Sequence, residues 1–184
     1  MKVLHTIAQF RMGGAQTMLL DIVAELRQQG VDAVVVCLSK DNDLEEITDE
    51  LPWFRTIPAA LQLSIWRKPT YKIAALKKFI HAFQPDVIHS HLFEAELITR
   101  AVGYREAVYF SHCHDNMPPY RKLGLTSFFS KDLLLRYFER AQLFNMYRTL
   151  GGNQFVSISS DTTQYFTKPL PGTPDFSSQP DYPH

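Results

Sequence analysis

The chain has 184 residues, with 19 basic and 19 acidic side chains and a formal net charge of zero. That length suits one full-sized domain, and the balanced charge excludes a dedicated nucleic-acid binder, which carries a basic excess. Two cysteines, Cys37 and Cys113, are too few for a disulfide framework, the apolar opening is too short for a secretory leader, and no run reaches membrane-spanning length, so a cytoplasmic location with at most peripheral contact at the inner face of the plasma membrane is expected.

Lys2 to Ala8 reads as a short buried strand that ends near Gly13-Gly14. The following segment places Met18, Leu19, Ile22, Val23 and Leu26 at helical spacing, which makes one apolar face. Gly30 stops that helix. Val31 to Leu38 is β-branched and short, a second buried strand. Asp41 to Glu50 is acidic surface helix or loop, and Phe54 to Pro58 a short third strand. Thr70 to Phe83 carries another helical stripe through Ile73, Leu76, Phe79, Ile80 and Phe83. Asp86 to His91 is a fourth strand, Ala95 to Val102 a helix, and Ala107 to Ser111 a fifth strand.

Beyond it, Asn116 to Gly124 is loop-like, with Pro118-Pro119 excluding regular structure. Ser130 to Arg148 reads as a long aromatic-rich helix, Phe155 to Ile158 as a sixth strand, and Ser160 to Phe166 as the start of another helix. Strands alternating with helices imply a parallel sheet covered on both faces, an α/β, Rossmann-like doubly wound domain spanning residues 1–167. The tail, 168–184, is crowded with prolines and is expected to be disordered.

Ligands of open parallel sheets bind beyond the carboxyl ends of the strands. Gly13-Gly14 stands at such an end, where glycine admits a ligand to the backbone and a helix start attracts an anion; a tight turn needing small residues is the plainer explanation. Neither the dinucleotide fingerprint nor a P-loop is present. At the end of the fourth strand, alternation puts His89 and His91 on one side, with Glu94 following. After the fifth strand come Ser111, His112, Cys113, His114 and Asp115, whose imidazoles can bond sugar hydroxyls, accept a proton or ligate metal. Between Tyr120 and Arg148, basic residues alternate with aromatics. This segment is expected to bury its apolar side in its own domain, with Phe128 and Phe129 the candidates for contact with lipid.

Four blocks, KVLHTIAQFRMGGAQTMLLDIVAELRQQG, PDVIHSHLFEAEL, YFSHCHDN, and the long helix with QFVSISSDTTQYF, together resemble the amino-terminal domain of family 4 glycosyltransferases over roughly Met1 to Phe166. The resemblance implies one half of a GT-B fold and sugar transfer, with retention of anomeric configuration, from a nucleotide-sugar to a glycan or lipid-linked acceptor. It implies that Gly13 and Gly14 approach the donor diphosphate. His114, or alternatively His112, matches the histidine facing the transferred sugar, and Asp115 lies beside it. His91 matches a position lining the cleft. Gln16 stands where the family often has glutamate. No cofactor and no metal are implied.

The family's second domain, with its Glu-rich signature, has no counterpart in the sequence. A chain that folds but transfers no sugar by itself is therefore expected, as a truncated enzyme, as one with a frame-shifted end, or as the partner subunit of a separate carboxyl-terminal chain. A different class, a metal-dependent hydrolase, would use His89, His91, His112, Cys113, His114 and Asp115 as zinc ligands.

Overall fold

The computed structural model describes residues 1–62, 70–113, 131–150 and 153–157. Its central sheet has six strands in the order β3-β2-β1-β6-β7-β8, all paired in parallel. They are β1 (Lys2–Ile7), β2 (Asp32–Cys37), β3 (Phe54–Thr56), β6 (Val87–His91), β7 (Val108–Cys113) and β8 (Asn153–Ser157). A two-stranded antiparallel ribbon, β4 (Ala60–Gln62) with β5 (Thr70–Lys72), stands apart from the sheet. The helices are α1 (Gly14–Gln28), α2 (Glu45–Thr48), α3 (Ala74–Phe83), α4 (Phe93–Arg100) and α5 (Lys131–Leu150).

Alternation along each strand sorts the core into two layers. Leu4, Val36, Ile88 and Tyr109 face one side, where they pack with Leu76 and Ile80 of α3 and Ala95 and Ile98 of α4. Val3, Ile7, Ala33, Val35 and Cys37 face the other, under Leu19 and Val23 of α1. The helical stripes therefore mark what each helix buries, as the 3.6-residue period requires. Leu143 and Tyr147 of α5 pack with Leu97 of α4, so the aromatic-rich helix does bury part of its apolar side.

Several expected boundaries move: the helix expected over Ala95–Val102 spans Phe93–Arg100, the strand expected from Phe155 starts at Asn153, and the largest change is at the third helix. The helix placed from Thr70 starts at Ala74, because Thr70–Lys72 pairs with Ala60–Gln62. All three β5 residues are exposed, and helical periodicity carries no information where no residue is buried.

On the α4 side of the sheet, one buried polar network ties four elements together. Arg100 donates to Glu96 at 3.0 Å, to Ser111 at 3.1 Å and to Asn153 at 2.7 Å. Ser111 and Tyr147 both donate to the same Glu96 oxygen. The guanidinium lies between the rings of Tyr109 and Tyr147, 4.5 Å from each. Burial pushes the Tyr109 phenol up to about 12, against the opposing pull of Arg100.

Candidate functional site

Counting only its own strands in chain order, the sheet runs 3-2-1-4-5-6, and the chain reverses direction across it between β1 and β6. That junction is the topological switch point, where a crevice opens beyond the strand ends. Gly13-Gly14 follows β1 there, and His91 ends β6.

The glycine loop is held from the side. Phe10 exchanges backbone hydrogen bonds with Asp41 and Asp43, both 2.9 Å. The Met12 N–H donates to the Asp43 carboxylate at 3.1 Å, and Arg11 pairs with Asp41 at 3.1 Å. Gln16 is buried beneath the loop and donates to the Gln9 carbonyl at 3.3 Å.

Neither glycine is demanded by the backbone. Gly13 has φ −178°, extended geometry that any residue adopts, and Gly14 opens the helix without a positive φ. A Cβ on Gly13 would meet the Gln16 amide oxygen at 2.9 Å, the far end of a flexible side chain. A Cβ on Gly14 would meet nothing within 4 Å. The tight-turn explanation thus has no support at Gly14. No side chain caps α1, and its first turn holds no acidic residue, so its leading N–H groups keep their attraction for an anion.

The parallel register brings the histidines together. His5 is opposite His89, and His91 is opposite His112, all on the α1 side of the sheet. Ring centroids are 4.4 Å apart for His89 and His91, 4.9 Å for His5 and His89, 5.2 Å for His89 and His112, and 5.1 Å for His91 and His112. His5 Nδ1 and His91 Nε2 share a hydrogen bond of 3.1 Å. His5, His91 and His112 are buried, and His89 is half-buried. Burial pushes the His5 imidazole down to about 4, and the nearby His112 adds to the fall, because a desolvated imidazole resists protonation.

Sequence reasoning placed His89, His91 and His112 at this rim but missed His5. Its signal was present: His5 shares the alternation of Val3 and Ile7, yet only the strand order reveals that it meets His89. His114, Asp115, Phe128 and Phe129 lie outside the described residues, as does the side chain of Cys113. Cys37 is buried, and burial raises its thiol, which leaves it a poor nucleophile.

After His91 the backbone is strained. Leu92 has φ 70° and ψ 156°, a region that is essentially reserved for glycine and that clusters at ligand sites. Its N–H donates to the His112 carbonyl at 3.3 Å, linking the ends of β6 and β7.

A Rossmann-like α/β domain is thus established, with a glycine-lined helix start and a histidine cluster gathered at its switch point. The chain belongs to Glycosyltransferase Family 4, whose model matches residues 12–170. No curated protein matches it in sequence. Among solved structures it is similar to Anabaena Alr3699/HepE in complex with UDP, at 17% identity and a TM-score of 0.60. It is also similar to the same protein in complex with UDP and glucose, at 17% identity and a TM-score of 0.58. Each match covers 90% of this chain and 40% of that one, so the chain spans well under half the length of these neighbours. Among the described residues, no helix is long and apolar enough to cross a membrane.

Proposed function

We propose that residues 1–167 form the acceptor-side wall of a sugar-transfer site, with Gly13, Gly14 and the start of α1 meeting the diphosphate of a nucleotide-sugar donor. One observation carries this reading. Gly14 is glycine although its φ is not positive, and the space a side chain would occupy is open. A ligand approaching the backbone needs that space. The HepE structures hold UDP, and one holds glucose as well, which makes UDP the first donor nucleotide to try.

In this reading His114, or else His112, faces the transferred sugar, with Asp115 beside it. His91, wholly buried, supports the wall from behind. The acceptor is a glycan or lipid-linked sugar. Transfer relies on positioning and on stabilising the departing diphosphate, and requires no protein nucleophile. A second domain supplies the facing wall and most of the donor contacts. The 184-residue chain alone therefore transfers no sugar at a useful rate, and donor turnover by the purified chain would overturn that part.

Titration of isotope-labelled chain with UDP and with inorganic pyrophosphate tests the donor contact. The amides of Gly13, Gly14, Ala15 and Gln16 are expected to shift most. Shifts confined to the opposite, amino-terminal rim of the sheet, or none with either probe, would remove the basis for the assignment.

A further inference from the structure

The histidine cluster also has the residue types and spacing of a metal site. Three imidazoles from two adjacent strands, His5 on β1 and His89 and His91 on β6, can each point one ring nitrogen so that all three lie within 4.8 Å of one another. His5 Nδ1 and His91 Nε2 are already 3.1 Å apart. That is close to the edge of a tetrahedron whose centre binds nitrogen at roughly 2.0–2.1 Å.

We propose that His5, His89 and His91 form a binding site for a borderline divalent transition metal of the zinc class at the junction of β1 and β6. Neutral imidazole suits zinc, cobalt, nickel and copper, whereas magnesium and calcium prefer oxygen. Burial keeps the His5 ring in the unprotonated form that ligates. Half-buried His89 gives the ion its way in and leaves a fourth position for water, as in three-histidine sites generally. Bound metal joins the two strands flanking the switch point, so it stabilises the fold by binding the native state alone.

The test uses tag-free, metal-stripped chain titrated with cobalt(II) and then zinc(II). Expected are saturable d–d absorption of tetrahedral intensity, its displacement by zinc, and a higher melting temperature with either ion. His5→Gln and His91→Gln should weaken cobalt binding by at least the ~10–100-fold that even outer partners of a metal site contribute. Both residues are wholly buried, so if those variants misfold, as judged by near-ultraviolet circular dichroism, His89→Gln decides. His81→Gln, on the exposed side of α3, should bind as the parent does. Octahedral cobalt spectra, equal affinity in parent and His89→Gln, or loss of binding only with His112→Gln or His114→Gln would overturn the proposal. None of these readouts depends on a sugar donor, so failure here leaves the transferase reading untouched, and the converse also holds.

Discussion

Replacing Arg100 by methionine probes the buried network most directly. Methionine roughly preserves the volume between Tyr109 and Tyr147 but removes the charge. Arg100 is 1% exposed and its partner Glu96 2%, so the change leaves a buried carboxylate with, among the described residues, the Ser111 and Tyr147 hydroxyls to satisfy it. It also removes the bond to Asn153, which anchors β8. Breaking a buried ion pair from one side costs about 3–5 kcal/mol, because the stranded charge remains desolvated. For a domain of this size that is a fall in melting temperature of roughly 6–20 °C. Urea titration followed by fluorescence and by circular dichroism would read it as a lower midpoint with an unchanged slope. Adding Glu96→Gln should recover about 2 kcal/mol, since glutamine still accepts from Tyr147 but carries no charge to strand. A loss under about 1 kcal/mol from Arg100→Met, or simple additivity in the double variant, would refute the claim that the pair acts as a buried unit.

Three further outcomes follow from the site. His5 titrates near 4 in the fold against 6.5 for the free side chain; between those values the unfolded chain binds more protons, so metal-free stability should fall by about 3 kcal/mol as pH drops from 7 to 4. His5→Asn should flatten that part of the urea midpoint against pH, and an unchanged profile would argue against a buried neutral imidazole. Gly14→Ala meets no neighbour and favours the helix by up to about 1 kcal/mol; it should keep or raise stability while weakening UDP binding measured by calorimetry, whereas equal affinity would show that no ligand uses the space. At Leu92 the usual order should reverse: Gly is expected to be more stable than Ala by about 1 kcal/mol, because only the Cβ is strained at this φ and ψ, and Ala as the more stable variant would contradict the strain.

Much of the architecture was legible from local patterns. Buried strands such as Val31 to Leu38 and the stripe Leu76–Ile80 announce themselves because burial on one face imposes a period of two or of 3.6 residues. Even the pairing of His89 with His91 follows from alternation within one strand. The β4–β5 ribbon was not legible, because its β5 strand, Thr70–Lys72, is exposed and so writes no period into the sequence.

Local sequence therefore governs everything that one segment decides alone: strand or helix, inner or outer face, and a glycine pair followed by a helix. Whatever depends on strand order emerges only in the assembled sheet. His5 and His91 are 86 positions apart in sequence and become neighbours because β6 returns to the side of β1 that β2 does not occupy. The same holds for Arg100, whose partners on β7 and β8 are fixed by the sheet, and for the open space beside Gly14. Local patterns report burial; a site arises from which buried faces the chain's crossings set side by side.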